Sequence, residues 1–358
     1  MVWFIVAVLA LVLFSLLYLR GADMSRFDGP ALPAPTSPPS SGHADVLQRL
    51  RDLLPAGQAR QRGRAQLVQM RSLMDGLSAG RDFACSFVPV STADVCGEWV
   101  LAPGHDARRR LLYIHGGAWI AGSPLSHRAI TDRLARLTGA AVFSLDYRLL
   151  PENRRIDGIH DCRNAWRWLL ENGPDGPTPL DYAMVAGDSA GGSLTLGLIA
   201  WIRDEGLRQA DAAIGFSPST DVTMSGGSLR TNLATDPMLG PMFSWMAKVP
   251  ALLLLWGTWF TNRLPPSHPD VSPLRGNLAG LPPTLLQVSE QEMLLDDSRR
   301  YAARAEEAGS PVVLQTWPHM VHVWQMFTPE LEEAEEAFAN IAEFLTSAGV
   351  PVAEGGDL

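Results

Sequence analysis

From Arg81 onward, short β-rich runs alternate with longer helical runs, and few architectures accommodate that order. Successive β–α units build a mostly parallel sheet covered by helices. We therefore predict an α/β fold, begun by two antiparallel edge strands at 83–90 and 95–101. Further strands are predicted at 111–114, 140–145, 183–186, 212–216, 284–289 and 312–317. Helices are predicted at 126–137, 161–170, from 190, at 297–308 and at 331–345. A Trp- and Met-rich insertion, 219–269, interrupts this alternation.

Length and composition exclude several classes of protein. With 358 residues the chain is long enough for one large domain or two ordinary ones. Its net charge of −9 is the opposite of the basic surface typical of nucleic-acid binding. Its three cysteines, Cys85, Cys96 and Cys162, are too few for a disulfide scaffold and match no metal-ligand spacing. We therefore expect no nucleic-acid partner and no bound metal.

The N-terminal residues differ sharply from the rest of the chain. Residues 2–19 are apolar except for Ser15 and the amphipathic Tyr18, and as a helix they extend roughly 27 Å, close to the ~30 Å hydrocarbon layer of a bilayer. No Lys or Arg precedes the run and no clear A-x-A cleavage site follows it. We therefore predict an uncleaved single-pass membrane anchor over 1–20, with a cleaved signal peptide or a buried core helix as the alternatives. Arg20 and Arg26 beyond the run favour a cytoplasmic body under the positive-inside rule.

Two segments connect this anchor to the first strand. Residues 21–42 include five prolines and few residues to bury, so we expect a semi-extended linker. The segment 43–80 is predicted to be helical, as a cap element or an ordinary surface helix, because apolar residues recur there at helical spacing. Those residues are Val46, Leu47, Leu50, Leu53 and Leu54. The main domain is predicted over 81–348, followed by a short tail at 349–358.

A G-x-S-x-G motif follows the predicted strand 183–186. It comprises Gly187, Asp188, Ser189, Ala190 and Gly191, and a helix is predicted to begin at Ala190. In this strand–turn–helix setting a sharp turn exposes the serine hydroxyl, and the glycines permit the tight backbone. Ser189 is therefore a candidate nucleophile. A glycine-rich turn without catalytic function is the alternative.

A second glycine motif follows the strand 111–114. In the string His115-Gly116-Gly117-Ala118-Trp119, the glycines allow several backbone N–H groups to point at one spot, as an oxyanion hole requires. The N–H of Ala190, directly after Ser189, would supply a further donor. A plain loop is the alternative for this motif taken alone.

A serine nucleophile of this architecture needs an acid and then a histidine, in that chain order. The strand 284–289 runs into a loop with Glu292 and Asp296, and the strand 312–317 runs into a loop with His319 and His322. Both loops leave the carboxyl ends of strands, where sites in open α/β sheets lie. Glu290 and Asp297 lie in the same acid loop, so the residue pattern alone offers four candidate acids and two candidate bases.

Taken together, these motifs resemble the hormone-sensitive-lipase family of α/β-hydrolases, which includes many bacterial esterases and arylacetamide-deacetylase-like enzymes. The resemblance covers roughly residues 80–348 and ends on the final histidine. Its strings are HGGAW, DYRLLPE, GDSAGG, DVSPL and LPPTLLQVSEQEMLLDD. It implies an α/β-hydrolase fold with a helical cap over the substrate pockets, formed by 43–80 and the insertion 219–269.

The resemblance also implies roles for individual residues. Ser189 is implied as the nucleophile and His322, which precedes an aromatic-rich turn, as the general base in preference to His319. Family members commonly carry an Asp and, four residues later, a second Asp. Here Glu292 and Asp296 hold those positions, so we expect Glu292 as the acid and Asp296 as the alternative. The expected oxyanion-hole donors are the N–H groups of Gly116, Gly117, Ala118 and Ala190.

Other polar residues are assigned structural roles. His115 is expected to order the oxyanion loop rather than to transfer protons, and Asp146, Tyr147 and Arg148 resemble the family's internal buttress. Five histidines show no partner spacing and are expected on the surface or in packing. They are His43, His105, His127, His160 and His268.

The implied activity is hydrolysis of carboxylic esters with short or medium acyl chains through an acyl-enzyme, without a metal or organic cofactor. The expected substrate is a small lipophilic ester reached at the membrane. The same chemistry would serve a lactone or an arylamide. A non-catalytic ligand receptor on this fold is the alternative outside enzymes, but such receptors replace the triad histidine, whereas His322 is present here.

Overall fold

The computed structural model describes residues 1–30, 38–53 and 63–353, and one eight-stranded sheet organises most of them. Parts of the predicted linker (31–37), of the segment 43–80 (54–62, with Leu54) and of the tail (354–358) lie outside the described residues. The strands of the large sheet are β1 (Ser86–Ser91), β2 (Cys96–Leu101), β3 (Asp106–Ile114), β4 (Ala140–Leu145), β7 (Tyr182–Asp188), β8 (Ala212–Phe216), β9 (Thr284–Ser289) and β10 (Val312–Trp317). Two short strands, β5 (Asn172–Gly173) and β6 (Gly176–Pro177), pair with each other.

Helices cover the sheet and form the N-terminal segment and the insertion. They are α1 (Val2–Phe14), which continues as a π-helical turn over Ser15–Arg20, α2 (Ser41–Leu53), α3 (Arg64–Asp75), α4 (Arg128–Thr138), α5 (Arg155–Glu171), α6 (Ser189–Asp204), α7 (Ser228–Thr231), α8 (Leu239–Phe243), α9 (Ala251–Asn262), α10 (Leu295–Glu307) and α11 (Glu332–Ser347).

The strand order of the sheet is β1-β2-β4-β3-β7-β8-β9-β10. Only β2 runs against its neighbours β1 and β4, and every other pair in this sheet is parallel. The prediction of a mostly parallel sheet flanked by helices is therefore confirmed. Because β3, β7, β9 and β10 are parallel, the four loops that carry the candidate motifs leave the same edge of the sheet.

Two elements begin well before the residues that the sequence predicts. Strand β3 begins at Asp106 rather than at 111, and it includes Arg110, whose buried guanidinium donates to the carbonyls of Leu169 (2.8 Å) and Thr178 (2.6 Å). Helix α5 begins at Arg155 rather than at 161. The Asp157 carboxylate caps its start by accepting the Arg154 N–H at 2.8 Å. Charged residues obscured both starts: the Arg110 contacts depend on the tertiary fold, whereas the cap at the start of α5 is local.

An apolar core lies on each face of the sheet. One core includes Ile130 of α4 and Phe338 of α11, together with Val46 and Leu50 of α2. The other includes side chains of α5, α6 and α10, among them Trp166, Ile199 and Tyr301. The described start of the predicted segment 43–80 therefore packs directly on the body.

The N-terminal region is joined to the body more closely than its sequence suggests. Among the described residues, one helical segment is long and apolar enough to cross a membrane; it lies within Val2–Phe27, and 11% of its most apolar 18 residues is buried. In the predicted linker, Asp28 pairs with Arg300 at 2.5 Å, and Arg275 donates to the Ala22 carbonyl at 2.9 Å. Residues 21–30 are thus tied to the body by polar contacts that composition alone does not indicate.

Candidate active site

Ser189 lies on a sharp turn between β7 and α6. It is the first residue of α6, and its φ of +51° is in the left-handed region that a non-glycine residue rarely adopts. Asp188 and Ala190 on either side are buried, whereas Ser189 is partly exposed. The strained turn therefore presents this hydroxyl at the carboxyl edge of the sheet.

The two glycines of the motif let this turn lie directly against β3. A Cβ at Gly187 would lie 2.6 Å from the Ile114 carbonyl oxygen, and a Cβ at Gly191 would lie 2.0 Å from the same atom. Because that oxygen belongs to the backbone of a central strand, it has little freedom to move. Only glycine fits either position, and the nucleophile turn is held beside the loop that starts after Ile114.

The candidate acid and base meet beyond the ends of β9 and β10. Glu292 is fully buried, and its Oε2 lies 2.5 Å from Nδ1 of His322. Its other oxygen, Oε1, accepts the Ser217 hydroxyl at 2.8 Å and the Ser289 N–H at 2.7 Å. With both oxygens fixed, Nδ1 of the imidazole donates to Glu292, and Nε2 becomes the nitrogen that can accept a proton.

The charge of Glu292 controls the protonation of His322. Burial by itself lowers the pKa of the His322 imidazole, but the adjacent Glu292 carboxylate outweighs burial and raises that pKa above its ordinary value of 6.5. Glu292 therefore stabilises the imidazolium form of His322.

The rival acid and base have other contacts. Asp296 lies in the first turn of α10, and its Oδ2 accepts the Ser228 N–H at 2.7 Å, so this carboxylate is tied to the insertion. His319 has its Nδ1 3.4 Å from the side-chain amide of Gln291. The structure brings Glu292, and not Asp296, to His322.

The loop after β3 has backbone N–H groups that are free to donate. Gly117 and Ala118 have φ values of +110° and +53°. Within the described part of the chain, no hydrogen bond uses the N–H of either residue. Ala190 is the second residue of α6, where a backbone N–H has no acceptor within the helix. Three donors are thus available around Ser189.

Comparisons with known proteins concern the family and fold of the chain. A family profile described as an alpha/beta hydrolase fold matches residues 111–326. Over 259 residues the chain is 37% identical to an acetyl-hydrolase of Streptomyces hygroscopicus, covering 72% of this chain and 82% of the relative. It is 36% identical to an esterase of Acinetobacter venetianus, with 72% and 81% covered. A solved esterase of the bacterial hormone-sensitive lipase family matches with a TM-score of 0.74 and 32% identity, over 87% of this chain and 99% of that one.

The chain belongs to the hormone-sensitive-lipase family of α/β-hydrolases. The resemblance and the fold inferred from the motifs are therefore confirmed. Since its relatives are esterases and acetyl-hydrolases, the protein is a carboxylic-ester hydrolase.

One predicted oxyanion donor of this esterase is corrected by the structure. The N–H of Gly116 donates to Oδ1 of Asp188 at 2.9 Å, and a Cβ at Gly116 would lie 2.1 Å from Oδ2 of the same carboxylate. A backbone N–H has one proton to give, so the prediction that Gly116 stabilises the oxyanion is wrong. Gly116 instead anchors the loop to the residue before the nucleophile.

Asp188 is the centre of a buried network that the sequence did not reveal. Its carboxylate also accepts the Tyr113 hydroxyl at 2.7 Å and lies 3.3 Å from Nε2 of His127. Burial lowers the pKa of His127, but Asp188 outweighs burial and raises it. His127, expected on the surface or in packing, is therefore buried beside Asp188, which favours its protonated form. The position of Asp188 inside the G-x-S-x-G motif could have indicated a role in the site. His127 lies 61 residues before Asp188, and no sequence pattern links the two.

His115 has the structural environment predicted for it. Burial lowers its pKa to about 3, so the ring is neutral, and its Nδ1 lies 2.8 Å from the Gly116 carbonyl. The ring stacks on Tyr147 with centroids 4.4 Å apart, and the Tyr147 hydroxyl donates to the His115 carbonyl at 2.9 Å. These contacts order the loop, and the low pKa keeps the ring from taking up a second proton at neutral pH.

Ser217 was also missed. It directly follows β8, so the strand-end rule that drew attention to Glu292 and His322 would have placed it at the same edge. In addition to its bond to Glu292, its Oγ lies 3.4 Å from the Val323 N–H.

Among the described residues, no group of three or more His, Cys, Asp or Glu could hold a metal ion.

Proposed function

We propose that this esterase hydrolyses carboxylic esters of short or medium acyl chains, with Ser189 as nucleophile, His322 as general base and Glu292 as the acid that orients it. The single observation that carries the proposal is the 2.5 Å contact between Glu292 and Nδ1 of His322, at the sheet edge that also carries Ser189. The acetyl-hydrolase among the relatives supports the short acyl chain.

In the proposed mechanism His322 Nε2 takes the proton of the Ser189 hydroxyl while Oγ attacks the ester carbonyl. The oxyanion accepts hydrogen bonds from the N–H groups of Gly117, Ala118 and Ala190. His322 then gives its proton to the alkoxide, and the alcohol leaves. Water, deprotonated by His322, attacks the acyl-enzyme and releases the carboxylic acid and free Ser189.

The test is a panel of p-nitrophenyl esters from acetyl to dodecanoyl, with a lactone and an arylamide as further arms. We expect the highest kcat/KM at acetyl to hexanoyl esters, and loss of activity in Ser189→Ala. Ser193→Ala is the matched control, because Ser193 lies one turn further along α6 and its buried hydroxyl has no hydrogen-bond partner within the described residues. Full activity in Ser189→Ala would refute the mechanism, and preference for the lactone or arylamide would refute the substrate class.

We further propose that residues 1–20 anchor the esterase in a membrane by one span, with the body on the cytoplasmic side and small lipophilic esters as substrates. The support is the length and apolar character of the helix and its exposure over most of its surface. We expect the full chain, expressed in a bacterium, to stay with the membrane pellet after an alkaline carbonate wash. Release into the supernatant would refute the anchor, and N-terminal sequencing of the pelleted protein distinguishes it from a cleaved signal sequence.

A further inference from the structure

The insertion presents an apolar face that nothing within the described part of the chain covers. Helix α9 has no charged residue, and Leu253 and Phe260, 61% and 57% exposed, are seven residues apart and so share one face. Leu255 on the other side is buried, so that side is the one held to the body. Trp245, just before α9, is 53% exposed. Exposed apolar groups gathered in this way mark an interaction surface.

The base of the N-terminal helix is fixed to this same helix. The ring of Phe14 lies 5.7 Å from Trp256 and 5.9 Å from Trp259, measured between centroids. The Trp256 indole N–H donates to the Ser15 hydroxyl at 2.9 Å, and beyond α9 the Ser267 hydroxyl donates to the Tyr18 carbonyl at 2.7 Å. The exposed surface of α9 is therefore continuous with the apolar surface of the N-terminal helix.

This attachment sets the depth of α9 relative to a bilayer. If the whole N-terminal helix, from Val2 to Arg20, crosses the bilayer, its end with Tyr18 and Arg20 lies near the lipid headgroups, and α9 is held close to that level. At about 1.5 Å per residue α9 is roughly 18 Å long, too short to span. Moreover, α8 with the turn that follows it (Leu239–Met246) meets α9 at 109°, so these two helices do not form one straight span. Exposed Trp and Phe are typical of the membrane interface.

We propose that α9 and Trp245 form a second membrane contact, whose partner is the lipid bilayer itself. This inference rests on the anchor proposed above. The ion pairs between Asp28 and Arg300 and between Arg26 and Glu307 tie residues 21–30 to α10, so the body does not hang on a free tether. The esterase body is thus held against the bilayer in one orientation, by the anchor and by the face of α9.

The insertion that carries α9 also reaches the acid loop of the active site. The side-chain amide of Asn232 donates to the carbonyls of Glu290 (2.9 Å) and Glu292 (3.0 Å), and the Asp236 carboxylate accepts the Met293 N–H at 2.9 Å. The membrane contact and the loop that holds the triad acid therefore belong to one connected unit.

The test uses the full chain in phosphatidylcholine vesicles that contain a spin-labelled lipid. In a Cys96→Ser background, which removes the exposed native thiol, an environment-sensitive fluorophore is attached to a single cysteine introduced as Leu253→Cys or Phe260→Cys. Leu9→Cys in the N-terminal helix is the reference inside the bilayer. Val313→Cys, at an exposed position on the edge strand β10, is the matched control outside it. Hydrolysis of a soluble ester shows that each variant is folded.

We expect the probes at 253 and 260 to be quenched by the spin-labelled lipid almost as strongly as the probe at 9, and the probe at 313 to be unaffected. Probes at 253 and 260 that behave like the probe at 313 overturn the inference. In that case quenching at 9 shows that the N-terminal anchor still holds. No quenching at 9 refutes both the anchor and the membrane contact of α9. A blue-shifted but unquenched probe also overturns it, because a second copy of the chain would then cover α9. Ester hydrolysis in the same samples tests the catalytic proposal separately.

Discussion

Replacing Glu292 by glutamine tests the proposed triad at its most informative position. The Ser289 backbone N–H donates to Oε1 at 2.7 Å and cannot become an acceptor, so the amide oxygen of Glu292→Gln must take the place of Oε1. The amide NH₂ then takes the place of Oε2 and faces Nδ1 of His322. Two donors cannot bond each other, so Nδ1 must become the acceptor and the proton must move to Nε2.

The magnitude follows from that change of tautomer. An imidazole with its proton on Nε2 cannot accept the proton of Ser189, and in serine hydrolases with such a triad this costs about 10⁴-fold in kcat. That loss corresponds to about 5 kcal/mol of transition-state stabilisation. KM should change little, because the Glu292 side chain is fully buried and is therefore not exposed to a bound substrate.

The assay is steady-state hydrolysis of p-nitrophenyl butyrate, with thermal unfolding as the check on folding. Asp296→Asn is the matched control. Its amide oxygen can still accept the Ser228 N–H, so kcat should remain near that of the native enzyme. A Glu292→Gln enzyme within about tenfold of native kcat, or an equal loss in Asp296→Asn, would contradict the assignment of the acid.

Three further predictions concern the loop network and the base. Gly116→Ala would bring a methyl group to 2.1 Å from Asp188 and should lower the free energy of unfolding by about 1–3 kcal/mol or more. Gly197→Ala is the control, because open space surrounds Gly197, and it should not lower the free energy of unfolding. Thermal unfolding compares the two variants. His127→Phe leaves the Asp188 carboxylate buried without its cation and should cost about 3–5 kcal/mol in denaturant unfolding. Because Asp188 raises the pKa of His127 in the fold, this cost should be full below pH 6.5 and shrink as pH rises through the raised value; a cost that grows with pH would refute the ion pair. For catalysis, kcat/KM should rise with pH through an apparent pKa above 6.5, since His322 must be neutral to act; a midpoint below 6.5 would contradict the raised pKa.

The sequence predicted those parts of the site that depend on position along the chain. Alternation of β and α runs predicted the sheet, and the ends of its strands pointed to Ser189, to the acid loop and to His322. The choice between Glu292 and Asp296 needed the family pattern, because both carboxylates lie on the same short loop. The structure separates them, since Glu292 and not Asp296 contacts His322.

The remaining parts depend on three-dimensional contacts that leave no pattern in one sequence. The direction of the Gly116 N–H follows from backbone angles within the loop, so the motif alone could not tell which of its peptide groups point inwards. Asp188 and His127 meet only because β7 and the turn before α4 are neighbours in the fold. Docking of residues 21–30 likewise depends on arginines far along the chain.

Covalent labelling of the nucleophile tests the central claim most directly. Native enzyme is treated with a fluorophosphonate, and the site of modification is identified by mass spectrometry of proteolytic peptides. We predict one phosphonyl group per chain, on Ser189, with labelling abolished in Ser189→Ala and kept in Ser193→Ala. Labelling at any other residue, or a native enzyme that hydrolyses esters while Ser189 stays unmodified, would contradict this account.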